Sequence, residues 1–284
     1  MHRKHPPIWR IINLRPRRPG ARVALWLCAC VLLLQGVAAV GIVLKGAVAV
    51  ISTITEAQIP PASSKLYDLQ TQPPYTVALD AGHGGMDSGA EALVDEVDVC
   101  EKTVDALFAL LQSDTNYQPV RTRQTGEDLS TTERAEAAIN SRASLLLSVH
   151  ANCDPDTRQA HGFECFPRPP GRLYSAQSMQ FAQCLSGSMA AAGHRLRGDN
   201  GVRFVYYSGK SKKMVSITDT KVRSQKSFGM VEKPACPAVL VEQCFLTNYN
   251  DVENWATDAG CRRAARVYYE AICAYFGTQP LPAV

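Results

Sequence analysis

The chain has no Cys-x-x-Cys pair among its 10 cysteines and no acidic residue before Glu56. The first absence argues against a cysteine zinc site and against a thioredoxin-type redox motif. Beyond residue 45 the chain also lacks a basic surplus: 22 Lys and Arg face 26 Asp and Glu, a net charge of −4. That part of the protein therefore has no electrostatic signature of a nucleic-acid binder. No internal repeat or low-complexity tract is present.

The cysteines divide into two groups. Two of them, Cys28 and Cys30, lie in a long hydrophobic stretch near the start of the chain. The other eight are distributed through the rest of the sequence: Cys100, Cys153, Cys165, Cys184, Cys236, Cys244, Cys261 and Cys273. Exported proteins can use disulfides, whereas a cysteine inside an apolar run is equally natural as a buried thiol. The sequence leaves both alternatives open.

The start of the chain is strongly basic. Residues 1–22 contain seven Lys and Arg, and residues 23–44 then contain no charge. A helix of that length spans roughly 33 Å, enough to cross the hydrocarbon core of a bilayer. Because a basic flank stays on the inner side, we expect a cytoplasmic tail over 1–22, a transmembrane anchor over 23–44 and an extracytoplasmic remainder. This places the protein at the cell membrane as a single-pass protein.

Two other interpretations of this segment exist. A cleaved signal peptide could be processed at Val37-Ala38-Ala39 or at Ala47-Val48-Ala49, which would release the protein. Its basic region would be unusually long and its apolar core too long, so we favour the retained anchor. The preceding cations argue against a buried core helix. Residues 45–74 gather prolines and serines and are expected to form an extended linker.

From residue 75 onward, strand and helix patterns alternate. We expect strands over 76–80, 118–123, 145–149, 162–166 and 238–242, and helices over 96–112, 131–142, 174–192 and 251–276. This alternation predicts an α/β domain over residues 75–277. Its architecture would be a mainly parallel, twisted sheet with helices on both faces. The basic segment 205–227 is expected to be a solvated loop or hairpin, or a rim that contacts an anionic polymer.

Four polar residues are expected to meet at one edge of this sheet. His83, His150 and Glu242 each lie at or just past the end of a predicted strand. Glu96 opens the helix that follows a glycine-rich loop. In a parallel sheet such positions converge where ligands usually bind. Two imidazoles and one carboxylate form a frequent catalytic zinc set, and a second carboxylate can act as general base. Individually, these residues could instead be a core histidine, a helix-start acid or half of an ion pair.

The motifs around these residues follow a known order. Over about residues 75–276 the sequence resembles the zinc-dependent N-acetylmuramoyl-L-alanine amidases, which share a type 3 catalytic domain. The resemblance rests on these stretches: Asp80-Ala-Gly-His-Gly-Gly-Met-Asp-Ser-Gly-Ala90, Glu96-Val-Asp-Val-Cys100, Thr122-Arg123, Leu129, Arg134, Asn140, Ser148-Val-His-Ala-Asn152, Gly162-Phe-Glu164 and Pro237 to Asn248.

The resemblance implies an enzyme that hydrolyses the amide between N-acetylmuramic acid and L-alanine in bacterial peptidoglycan. It implies His83, Glu96 and His150 as ligands of Zn²⁺ and Glu242 as the catalytic carboxylate. Glu101 is a rival to Glu96, although the helix aligns better from Glu96. Two alternatives remain: a zinc hydrolase of another peptide or amide, and a non-catalytic wall-binding protein, which would be expected to have lost one of the four residues.

The charge distribution at the start of the chain generates a prediction about membrane topology. We expect the full-length protein to fractionate with membranes and to keep residues 1–22, because seven cations precede the apolar segment. Terminal sequencing and protease protection of intact cells check this. Recovery of a membrane-free protein that begins near Val40 or Val50 would show a cleaved signal peptide instead.

Overall fold

The computed structural model describes residues 69–209 and 211–283. The predicted tail 1–22, the predicted anchor 23–44 and most of the predicted linker 45–74 lie outside these residues. In the part of the chain that is described, none of the helices combines the length and the apolar character that a membrane span requires. The anchor therefore stays a prediction.

The described residues form seven strands and six helices. The strands are β1 (Tyr75–Ala81), β2 (Tyr117–Arg121), β3 (Leu145–Asn152), β4 (Glu164–Pro167), β5 (Phe204–Ser208), β6 (Ser211–Val215) and β7 (Ala238–Phe245). The helices are α1 (Glu96–Ser113), α2 (Thr131–Asn140), α3 (Ser175–Ala191), α4 (Gly229–Glu232), α5 (Tyr249–Trp255) and α6 (Asp258–Phe276).

Five of the strands form one sheet in the order β2-β1-β3-β7-β4. The pairs of β1 with β2, β1 with β3 and β3 with β7 are parallel, and only the edge strand β4 runs antiparallel to its neighbour. The prediction of a mainly parallel sheet is thus confirmed. Strands β5 and β6 form a separate antiparallel hairpin, which confirms the hairpin alternative for the first half of the basic segment.

Alternate side chains of the central strands face opposite sides of the sheet, as the pleat of a strand requires. On one side Val77 and Leu79 are fully buried in the larger core, which α1, α3 and α6 cover. On the other side Ala78 packs with Ala138 of α2 and Met230 of α4. Helices therefore cover both faces, as the sequence predicts.

Two strands are longer than the sequence pattern indicates. We expected β3 to end before His150 and β7 to end at Glu242, but both strands continue for three more residues. His150 and Glu242 are paired in register, and the ladder resumes at Asn152 and Phe245 after an irregularity. In each strand the polar residues lie on one face while the other face stays buried. A polar residue here therefore marks a change in what that face contacts and not the end of the strand.

The prediction of one helix over 251–276 is wrong. The chain forms α5 and α6 instead, with Ala256 and Thr257 between them. The Thr257 hydroxyl accepts a hydrogen bond from the amide of Gly260 at 3.1 Å and donates one to the carbonyl of Glu253 at 3.3 Å. A threonine that satisfies the first amides of a helix is a typical N-cap, and its extended backbone ends the preceding helix.

This cap generates a stability prediction. Thr257→Ala should lower the free energy of unfolding by about 0.5–2 kcal/mol, because α6 loses the acceptor for one of its first amides. Urea denaturation of a fragment that begins at Lys65, the start of the compact unit, measures the change. Thr257→Ser keeps the hydroxyl and is the matched control. Equal stability of the alanine and serine variants would contradict the cap.

Candidate metal centre

The backbone of the loop after β1 lies against a side chain of β3. The amide of Gly82 donates to the carbonyl of Val149 at 2.9 Å, which holds the loop against β3. A Cβ atom at position 82 would lie 2.4 Å from the His150 ring. Only glycine lacks that atom, so the His150 imidazole can pack against the loop only because residue 82 is glycine.

Three of the predicted site residues converge on one point. His83 Nε2 lies 3.0 Å from Glu96 Oε1, and His150 Nδ1 lies 3.1 Å from the same oxygen. One donor atom from each residue can be chosen so that all three lie within 4.8 Å of one another. Glu96 is the first residue of α1, as expected, and its carboxylate also accepts from the amides of Ala151 and Ala90, both at 3.1 Å.

The electrostatics of this cluster favour a charged carboxylate. Burial opposes ionisation of Glu96, but hydrogen bonds with His150 and His83 outweigh it and lower the pKa of the carboxyl. Burial likewise opposes protonation of His83, whereas hydrogen bonds and charge interactions with Glu96 and Asp87 raise its pKa to about 9. One nitrogen of each imidazole lies close to the same carboxylate oxygen, and this arrangement suits a cation bound by all three side chains. Two nitrogen donors and one oxygen donor suit zinc.

A further carboxylate orients one of the imidazoles. Asp87 Oδ2 lies 2.9 Å from His83 Nδ1, and Asp87 Oδ1 accepts from the amide of Gly89 at 3.0 Å. A Cβ atom at Gly89 would lie 2.7 Å from the His83 ring and 2.8 Å from Glu96 Oε2. Carboxylates that bind the second nitrogen of a ligating histidine fix its tautomer and orientation. No role was predicted for Asp87 from the sequence, although its position four residues after His83 in a glycine-rich loop is a usable signal.

Two buried arginines hold the loop that carries His83. Arg134 donates to the carbonyl oxygens of Ala81, at 2.7 Å, and His83. Arg123 donates to those of Ala81 at 2.9 Å and Gly82 at 3.0 Å. Glu101 accepts from Arg123 Nη1 at 2.6 Å, outside the cluster of three. Glu101, the alternative to Glu96 as a metal ligand, therefore forms an ion pair with Arg123 instead.

Glu242 lies beside the cluster and not within it. It is paired with His150 across the β3–β7 ladder and with Glu164 across the β7–β4 ladder. Residues paired in register project to the same face, so these three side chains form one row across the sheet. Glu242 is buried, and this burial raises the pKa of its carboxyl to about 7.

Glu164 has different partners at the far end of this row. Its side chain is 1% exposed, and its Oε1 accepts from Asn152 Nδ2 at 2.8 Å. Arg197 and Arg203 each approach it at 3.4 Å. The cleft face of the sheet thus carries the three-residue cluster, the buried Glu242 and a carboxylate between two arginines.

Comparison with known proteins identifies the family to which the chain belongs. The profile described as N-acetylmuramoyl-L-alanine amidase matches residues 77–274. The N-acetylmuramoyl-L-alanine amidase AmiC of Escherichia coli is 26% identical over 248 residues, which cover 78% of this chain and 58% of the relative. AmiB of Haemophilus influenzae is 27% identical over 71% of this chain and 52% of the relative. The chain thus spans little more than half the length of these relatives.

Solved structures show the same fold. An N-acetylmuramoyl-L-alanine amidase from Clostridium difficile 630 superposes with a TM-score of 0.58 at 23% identity, over 72% of this chain and 98% of the other. AmiC2 of Nostoc punctiforme superposes with a TM-score of 0.58 at 22% identity, over 72% and 97%. With the profile match over most of the described domain, the chain belongs to the N-acetylmuramoyl-L-alanine amidase family.

Proposed function

We propose that this protein hydrolyses the amide bond between N-acetylmuramic acid and L-alanine in peptidoglycan, with zinc as its metal. The observation that carries the proposal is the convergence of His83, Glu96 and His150 beside the buried Glu242. Membership of the amidase family supports the bond class, and the intact set of four residues argues against a non-catalytic wall-binding protein.

His83, Glu96 and His150 would hold the zinc ion. The chemistry that zinc supplies when bound is polarisation of the scissile carbonyl and activation of water near neutral pH. Glu96 offsets the positive charge, and its hydrogen bonds from the Ala90 and Ala151 amides keep its oxygens directed at the two imidazoles. Asp87 keeps His83 in one tautomer.

Glu242 would move the proton. Its carboxylate accepts a proton from the attacking water and passes it to the nitrogen of the leaving L-alanine. A group serves both steps well when its pKa lies near the working pH, and burial raises the pKa of Glu242 to about 7. Its register beside His150 supports this role, and among the described residues the group of candidate metal donors contains only His83, Glu96 and His150.

We also propose that the domain acts outside the cytoplasmic membrane, tethered by residues 23–44 through the linker 45–74. The support is the basic tail followed by 22 uncharged residues. Peptidoglycan lies on that side of the membrane, so the tether would keep the catalytic domain close to its substrate. The part of segment 205–227 after the hairpin remains a candidate contact for an anionic wall polymer.

The metal centre generates a binding prediction. The purified protein should hold one zinc ion, and His150→Ala should abolish stoichiometric binding because it removes one of three ligands. Asp87→Asn should weaken zinc affinity about 10- to 100-fold, because the imidazole of His83 loses its orienting partner. Elemental analysis and competition with a chelator measure both effects. His161→Ala, which removes a partly exposed histidine outside the cluster, is the control. Undiminished zinc in His150→Ala protein would disprove the assignment.

Glu242 generates a separate catalytic prediction. Glu242→Gln should keep the fold and the zinc but lose cleavage of muropeptides by about 10²- to 10⁴-fold, because it keeps the shape of the side chain and removes the base. Mass analysis of digested peptidoglycan, with free L-alanine amino ends as the product, measures turnover. The control is Glu136→Gln on the exposed face of α2. Zinc loss in the Glu242 variant would make Glu242 a ligand, and near-normal turnover would assign the base elsewhere.

The same digestion separates the proposed substrate from another amide. Intact glycan that carries stem peptides should release them, whereas cross-linked peptides without muramic acid should stay uncut. Cleavage of both substrates at equal rates would support a zinc hydrolase of broader specificity.

A further inference from the structure

A short segment after α3 extends the cleft beyond the edge of the sheet. The amide of Phe163 donates to the carbonyl of Arg195 at 2.8 Å, and the amide of Arg203 donates to the carbonyl of Cys165 at 3.0 Å. Residues 195–203 therefore line the outer edge of β4. Their pairing places Arg197 and Arg203 on either side of Glu164, at the end of the row that begins at His150.

Both guanidinium groups are held in place by other contacts. Arg197 lies over the Phe245 ring at 4.5 Å and donates to the carbonyl of His161 at 3.2 Å. Arg203 donates through Nη1 to the sulfur of Met214 at 3.0 Å. Their side chains remain 24% and 25% exposed, so both reach the cleft surface from a fixed base.

Glu164 forms no short hydrogen bond with either arginine. Its two ion pairs are 3.4 Å long, beyond the 2.7–2.9 Å of a charge-assisted hydrogen bond. Among the described residues, Glu164 Oε2 and Arg197 Nε are buried atoms without a hydrogen-bond partner. Asp199 also lies near Arg203, but it is partly exposed and accepts from the amide of Ile217 at 3.0 Å. Two cations therefore share one buried carboxylate, and the exposed part of each guanidinium group is left to bind another anion.

The distance from the metal centre limits which part of a substrate reaches this pair. Glu164 is two strands away from His150, roughly 10 Å at the usual strand spacing. L-alanine and the residue after it span about 7 Å when extended. A carboxyl group on the second residue and a hydrogen bond of about 3 Å cover the remaining distance to the guanidinium groups. In peptidoglycan that residue is a D-glutamate joined through its γ-carboxyl, and its α-carboxyl is either free or amidated.

We propose that Arg197 and Arg203 bind the free α-carboxylate of this second stem residue and make the enzyme selective against the amidated form. The inference rests on the proposed amidase function and adds a specificity determinant to it. A guanidinium fork matches a carboxylate with two parallel hydrogen bonds, whereas a carboxamide brings no charge and only one acceptor oxygen. The pair lies outside the cluster of His83, Glu96 and His150, so it acts on binding and not on the metal.

The test compares soluble muramyl tripeptides that differ in one group. They carry L-alanine, D-glutamate and L-lysine, with the D-glutamate α-carboxyl either free or amidated. A third substrate has a free α-carboxyl and an amidated C-terminus, which separates the two carboxylates as sources of the effect. We expect kcat/KM to fall about 10- to 100-fold on α-amidation, mainly through KM, as a lost charge-assisted contact predicts. Terminal amidation should change little.

Arginine variants assign the preference to its residues. Arg203→Gln should reduce the preference several-fold or abolish it, Arg203→Lys should restore part of it, and Arg195→Gln on the same segment should leave it intact. Calorimetry with the Glu242→Gln protein measures the same preference as binding, and thermal melting confirms that each variant is folded. Equal turnover of both wild-type substrates, or sensitivity to terminal amidation alone, would overturn the inference. Failure to cleave any of the three would instead refute the proposed function on which it rests.

Discussion

The position of His83 depends on two buried guanidinium groups. Arg134 and Arg123 both donate to the carbonyl of Ala81 at the end of β1, and they also donate to the carbonyls of His83 and Gly82, respectively. A buried cation is tolerated only when it is paired. Glu101 pairs with Arg123, and Asp80 lies 3.5 Å from Arg134. The geometry of the loop that carries His83 therefore depends on one arginine from the loop after β2 and one from α2.

The central strands serve stability and chemistry with alternate residues. Val149 and Val241 belong to the larger core, while their neighbours His150 and Glu242 face the cleft. Because one face of each strand stays fully buried, the sheet holds the polar row in register without any loop to position it. Strands are stiffer supports than loops, which suits the acid–base role proposed for Glu242.

The fold class and the convergence of His83, Glu96 and His150 are predictable because parallel strands bring their carboxyl ends to one edge. Strand ends are less predictable, since a polar residue facing a cleft looks like a turn residue in the sequence. The break at Thr257 is likewise hidden, because α5 and α6 both carry helical patterns and only the cap separates them. The arginines beside Glu164 lie 33 and 39 residues further along the chain, and no local pattern links them to it. Their pairing depends on how residues 195–203 meet β4.

The pKa values of two carboxyl groups near His150 are shifted in opposite directions. Burial raises the pKa of Glu96, but its hydrogen bonds and charge interactions with His150 and His83 outweigh burial, so the pKa falls. Glu242 has burial without such donors, and its pKa rises to about 7. A group that stays charged suits a cation ligand, whereas one that exchanges its proton near neutral pH suits acid–base chemistry. The amides of Ala90, in the loop before α1, and of Ala151, in β3, donate to Glu96, and these contacts favour its charged form.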